Sequence, residues 1–363
     1  MPRKQAANPF YDLLKAPRHR YRTEEILQLF GSVSKSRVAS LSQVLADYIS
    51  TNLPEAISKR EALADYRTNP YALLASANVL NLADPSRFAD FLFNNKLYAG
   101  LETSFGKFIE AAVVGAYPLV SDTKWIEAPE KVAEAQSLVG LSREQKAKKR
   151  RQSIWREIDK SCVVGNRRFV VSIKSGPNCI NDTQVQAMTD AITLNHKEWL
   201  AQTRKTYPSV SSLDVIIGLT YGTERTTNNK ENQILIKLLG AGFREEGRGE
   251  YPGVLIAKRD KPVRVYRTVG QSFWATIGNP ANPQEAKFVF LEVLLSLARA
   301  LKIGAEQAEL EARINLKIQA LCAALSGLMF PRRAIPDWVG QTFSDTELFW
   351  FATALSAFYD EGI

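Results

Sequence analysis

The sequence predicts an α/β (α+β) protein, with a central β-sheet flanked by helices and with helical regions toward both ends. The period of the apolar residues carries this prediction. Spacings of three and four recur over residues 23–119 and again over 286–359, whereas strand-like runs alternate with helical ones between them. At roughly 150 residues per structural unit, 363 residues with 45% hydrophobic content make about two units. The expected division is a helical, basic N-terminal region over 1–100, an α/β core over 101–280 and a helical C-terminal region over 281–363.

Taken in order, Ile26, Leu27 and Phe30, then Leu41, Val44, Leu45 and Tyr48, then Phe88, Phe91 and Leu92 mark helical stripes punctuated by Pro54, Pro70 and Pro85. Residues 105–116 read as a helix ended by Pro118, with Glu110 beside its apolar stripe and one turn after Gly106. Residues 127–151 read as a polar, basic helix or linker. Residues 162–165 and 168–174 read as paired strands joined through Gly165-Asn166. Asp182 is placed to cap a helix over 183–204, and a β-branched run follows at 213–221. A helix over 230–240, a strand over 264–268 and a short helix over 271–277 complete the core. Amphipathic helices over 286–328 and 345–359 follow, cut by Pro331 and Pro336. Phe349, Trp350 and Phe351 in the last helix are expected either at a dimer surface or as core support.

The formal charge is +9, and it is concentrated. Arg3, Lys4, Lys15, Arg18, Arg20 and Arg22 face one acidic residue, Asp12, within the first 22 positions. Ten basic residues face three acidic ones over 141–170, so the rest of the chain is slightly acidic. Such local excess favours a polyanionic partner. Three cysteines, Cys162, Cys179 and Cys322, argue against a disulfide framework or a tetrahedral zinc site. Two histidines, His19 and His196, argue against a Ser-His-Asp triad or a histidine-rich metal cluster. Chemistry would therefore run on carboxylates, lysine and a bound metal. The apolar runs are too short or too interrupted to span a membrane, and the N-terminus lacks a signal-peptide core, so a cytoplasmic protein is expected.

Asp159 stands at the start of one strand and Lys174 at the end of its partner. Alone, the two would read as an ordinary cross-strand ion pair. The stretch SIKSGPNCIN over 172–181 adds weight, as does the basic run that leads straight into Asp159. Asp159 followed by Ser172-Ile173-Lys174 resembles the PD-(D/E)XK nuclease superfamily. The KSGPN stretch is similar to that of certain type II restriction endonucleases, and Gly106 with Glu110 resembles the acidic helix that precedes the catalytic strands in such enzymes.

The resemblance implies a mixed sheet of the restriction-endonuclease-like type and Mg²⁺-dependent hydrolysis of double-stranded DNA by a homodimer. Asp159 and Glu110 would hold the metal, Lys174 would position the attacking water, and Ser172 would act through a water. Ser172 stands where the family carries a carboxylate, so a nearby helix would supply the replacement, either Glu110 or Asp190, with Glu110 preferred. Lys148, Lys149, Arg150, Arg151, Arg156, Asn178 and Asn181 would contact DNA. A non-catalytic nucleic-acid-binding protein and a structure-specific repair nuclease are the rival readings.

Overall fold

The computed structural model describes residues 18–58, 63–66, 69–120, 123–176, 180–223, 230–246, 255–257, 262–304, 307–328 and 334–359. Arg3, Lys4 and Lys15 of the basic arm lie outside these residues, as do Pro177, Asn178 and Cys179. The chain divides into two compact units. One comprises Met1–Leu41 and Gly106–Ser296, the other Ser42–Phe105 and Leu297–Ile363.

The first unit is built on a sheet with strands β1 (Lys160–Val164), β2 (Arg167–Lys174), β3 (Ser212–Leu219), β4 (Phe243–Glu245), β5 (Leu255–Ala257) and β6 (Val263–Val269). Their order across the sheet is β1-β2-β3-β6-β5-β4. The β1–β2, β4–β5 and β5–β6 pairs are antiparallel, whereas β2–β3 and β3–β6 are parallel, so the sheet is mixed as expected. In the β1–β2 hairpin, Gly165 takes φ +59°, the sense that the first position of a two-residue II′ turn needs. The short edge pair β4 and β5 is an addition to the elements read from the sequence.

Helices α1 (Arg18–Phe30), α2 (Lys35–Ser58), α3 (Pro70–Val79) and α4 (Pro85–Phe108) precede the sheet. The helix expected over 105–116 is thus the end of a longer one, α4, which widens into a π-turn at Ile109–Val113 and tightens into a 3₁₀ turn at Val114–Ala116. The basic segment over 127–151 resolves into α5 (Pro129–Gln136) and α6 (Arg143–Gln152). Ser142 and Gln145 form a reciprocal capping box at the start of α6, which explains why so polar a helix begins where it does.

Beyond β2 comes α7 (Asp182–Thr206). Its N-cap is Asn181, one residue before the expected Asp182, in a second capping box with Gln184. Val185, Met188, Ile192 and Trp199 form its buried stripe, which packs with Val170, Val215, Ile217 and Val265 on one face of the sheet. Helix α8 (Lys230–Gly240) adds Ile234 and Leu238 to the same layer. Each such side chain contributes about 1.5–3 kcal/mol on burial.

Helix α9 (Gln271–Gly278) comes against β3 because Gly218 carries no side chain: a Cβ there would lie 2.5 Å from the Phe273 ring. Phe273 and Trp274 are buried, and the Trp274 Nε1–H donates to the Thr220 carbonyl at 2.8 Å. They are core residues. Helix α10 is Val289–Gly304. Its Glu292 is fully buried and accepts hydrogen bonds from Arg37 and from the Tyr117 hydroxyl.

A buried cation ties α5, β2 and α7 together. Arg168 is 0% exposed; its guanidinium makes two hydrogen bonds to Glu130, at 2.8 and 2.7 Å, and one to Thr203 at 3.0 Å, and it lies over the Trp155 ring at 4.9 Å. Burial pushes the Glu130 carboxyl up, but the hydrogen bonds and charge of Arg168 outweigh it and hold the group below the usual range. Arg168→Ala is expected to lower stability by about 3–5 kcal/mol, the cost of breaking a buried pair. Arg168→Lys restores little of it, because an ammonium cannot reproduce the planar fork. Urea unfolding followed by circular dichroism measures both, and a lysine variant as stable as the wild type would show that the fork geometry is unimportant.

In the second unit, Phe88 and Phe349 pack edge to face at 5.6 Å, and the Trp350 Nε1–H donates to the Leu82 carbonyl at 2.9 Å. Leu321 and Leu325 of α11 (Gln307–Ser326) join this core. A short helix α12 (Asp337–Thr342) precedes α13 (Asp345–Tyr359). Phe349 and Trp350 are therefore buried in their own unit's core. Among the described residues, no helix is long and apolar enough to cross a membrane.

Candidate functional site

The site forms where β1 begins and β2 ends. The Asp159 main-chain N–H donates to the Val171 carbonyl at 2.9 Å, and its Oδ2 accepts from the Ile173 N–H at 2.6 Å. Asp159 is thus pinned against β2 by the residues on either side of Ser172, its main chain by Val171 and its carboxylate by Ile173. Ser172 is fully buried on the face that β2 shares with Val170 and Ile217. Among the described residues, its Oγ has no hydrogen-bond partner. Lys174, two residues on and half-buried, ends β2 on the same face by strand alternation.

Two glycines shape the turn that follows. A Cβ on Gly106 would lie 2.1 Å from the Ser175 hydroxyl, so the end of α4 approaches the chain just past Lys174. A Cβ on Gly176 would lie 2.1 Å from the Tyr221 ring, which explains a glycine in the Ser-Gly-Pro-Asn stretch. Glu110 follows Gly106 by one turn and sits within the π-turn, a local widening found frequently at functional sites.

Electrostatics bring these residues into one neighbourhood. Burial raises the Glu110 carboxyl above the usual range, and the charge of Asp159 raises it further; Lys160, Lys174 and Lys131 oppose this. Asp159 is also raised, chiefly by burial, against the opposing effects of Lys174, the Ile173 N–H and Lys131. Two carboxylates that repel each other, ringed by lysines, form a site that gains from a cation between them. Asp190 is exposed and accepts a hydrogen bond from Gln186 at 2.7 Å on the outer face of α7. Of the two candidates for the displaced carboxylate, Glu110 is therefore the one that interacts with Asp159 and Lys174.

Lys131 was not singled out from the sequence. It lies on α5, and its Nζ donates to the Ile158 carbonyl at 2.8 Å, next to Asp159. One lysine in a polar segment has no signature of its own; only the tertiary tie of α5 to β2 through Arg168 puts it there.

Among the described residues, no group of three or more His, Cys, Asp or Glu side chains is arranged to hold a metal ion. The Asp159 and Glu110 carboxylates, which act on each other electrostatically, are the candidates to hold an ion. This fits a hard divalent ion that keeps several waters and takes one or two carboxylates from the protein.

Of the DNA-contact residues expected, Lys148, Lys149, Arg150 and Arg151 are exposed on α6, and Arg156 is exposed in the turn after it. Asn181 is exposed, and its Oδ1 accepts from the Gln184 N–H at 2.9 Å as the cap of α7. Asn178 lies outside the described residues.

Residues 139–293 match the family model for Type II restriction endonuclease EcoO109I. The match spans α6 to α9, the whole sheet and the Asp159, Ser172 and Lys174 positions, and it stops short of Glu110 and Lys131. It supports an endodeoxyribonuclease, a hydrolase acting on DNA. No curated protein matches the chain.

Proposed function

We propose that the protein is a Mg²⁺-dependent type II restriction endonuclease of the PD-(D/E)XK kind, a cytoplasmic homodimer that cuts both strands of double-stranded DNA at a specific sequence. The observation that carries this reading is the shared electrostatic neighbourhood of Asp159, Glu110 and Lys174, within or beside a segment matched by a restriction-endonuclease family. Asp159 and Glu110 would hold the metal, which when bound neutralises phosphate charge and lowers the pKa of a water. Lys174 orients the attacking water. Ser172 contributes through a water. The exposed cations of α6, with Arg156, hold the DNA backbone in register, and Asn178 and Asn181 add polar contacts. A two-fold symmetric site calls for two copies of a subunit carrying one such centre.

A serine where a carboxylate is usual is the observation that favours the second reading, a protein that binds DNA without cutting it. Plasmid digestion separates the two. Discrete fragments with Mg²⁺, abolished by chelator, are expected. Salt-sensitive binding without metal-dependent cleavage would overturn the enzyme reading, and structure-dependent or nonspecific cutting would point to a repair nuclease.

A further inference from the structure

Helices α5 and α6 and the turn after them enclose a cavity of about 580 Å³ beside the Asp159 site. Lys131, Lys149, Arg150 and Arg156 line it, against the carboxylates of Glu127 and Glu134. Glu134 accepts a hydrogen bond from the Ser153 hydroxyl and Glu127 is exposed; neither arrangement removes a charge, but four basic side chains line the cavity against these two carboxylates. Arg156 is shared with Glu157 at 3.4 Å. Lys148 and Arg151 belong to the same basic run but do not line the cavity. The run is therefore divided between cations that converge on a cleft and cations that do not.

We propose that this cleft seats a phosphate of the DNA backbone next to the one that is cut, and that Lys131 links the two positions. The inference rests on the nuclease reading and assigns its substrate-positioning subsite. Lys149 and Arg150 line the cleft from α6, while Lys131 lines it from α5 and donates to the Ile158 carbonyl that precedes Asp159. A phosphate in the cleft thus fixes the strand relative to Asp159 through one side chain. Lys131 is a positioning residue: it acts through the seated phosphate and the start of β1.

The test uses the full chain and a fluorescein-labelled duplex in chelator over a series of salt concentrations, with plasmid cleavage in Mg²⁺ alongside. Lys149→Ala/Arg150→Ala is expected to reduce the slope of log affinity against log salt by about 1, the loss of one phosphate contact. Lys148→Ala/Arg151→Ala reduces it by less than half as much. Lys131→Met leaves duplex affinity within a few-fold but lowers the cleavage rate at saturating DNA by about 10–100-fold, and Lys131→Arg restores most of it. Equal slopes in the two double variants, or wild-type cleavage by Lys131→Met, would overturn the cleft while plasmid cleavage by the wild type keeps the nuclease reading standing. An unaltered salt slope in the cleft variant, with calorimetric binding of inorganic phosphate that the same variant loses, would make the cleft a small-anion site and also overturn the proposal. Absence of metal-dependent cleavage by the wild type would overturn the nuclease reading itself.

Discussion

Lys174→Ala is expected to lower metal-dependent cleavage by about 10³-fold, within the range general acid–base groups contribute. Duplex affinity should stay within a few-fold, since one charge among many phosphate contacts adds little to binding. The reasoning starts from β2. The strand ends at Lys174, and its charge acts on both Asp159 and Glu110, so the ammonium lies close to the carboxylates that would hold the metal. Lys174→Arg keeps the charge but replaces a compact ammonium by a longer, planar fork that cannot hold a water in the same place, and it is expected to remain inactive. Single-turnover cleavage and anisotropy binding on the same preparations measure both quantities. An active Lys174→Arg would reduce the role of Lys174 to electrostatics, and a fully active Lys174→Ala would remove it from the site.

What could be read from the sequence follows the range of the physical signal. Strands β1 and β2 are legible because their β-branched residues flank a glycine-containing turn, and Asp159 and Lys174 could be placed by strand ends alone. Glu110 required more. Its relation to Asp159 depends on Gly106 letting the end of α4 approach Ser175, a contact across some seventy residues of chain that no local period encodes. Strands β4 and β5 escaped notice because three residues do not establish an alternation. The aromatic run in α13 looked the same from sequence whether it faced a partner or its own core. Packing decides it, since Phe349 meets Phe88 from the other end of the chain. Helix α6 was visible as charge, but the division of its cations between cleft and solvent comes from α5, which is held in place by a buried arginine.

Glu110→Gln is expected to lower cleavage by about 10²–10³-fold, the several kcal/mol that a held metal supplies to a phosphoryl transition state. Asp190→Asn should cut like the wild type, because Asp190 is exposed on the outer face of α7. Stability provides a second readout of opposite sign. The Glu110 carboxyl is raised in the folded protein, first by burial and then by Asp159, so the folded state holds that proton more tightly than the unfolded chain does. Its contribution to stability is fully present below the unfolded carboxylate pKa and is lost as pH rises through the raised folded one. Above that raised range, in chelator, the Glu110 carboxylate sits in an unfavourable place, and there Glu110→Gln should melt at or above the wild-type temperature. Saturating Mg²⁺ should raise the wild-type melting temperature and raise that of Glu110→Gln by less, because an ion bound only to the folded state stabilises by mass action. Thermal unfolding with chelator and with Mg²⁺, alongside cleavage rates for both variants, tests the assignment. An inactive Asp190→Asn beside an active Glu110→Gln would place the missing carboxylate on α7.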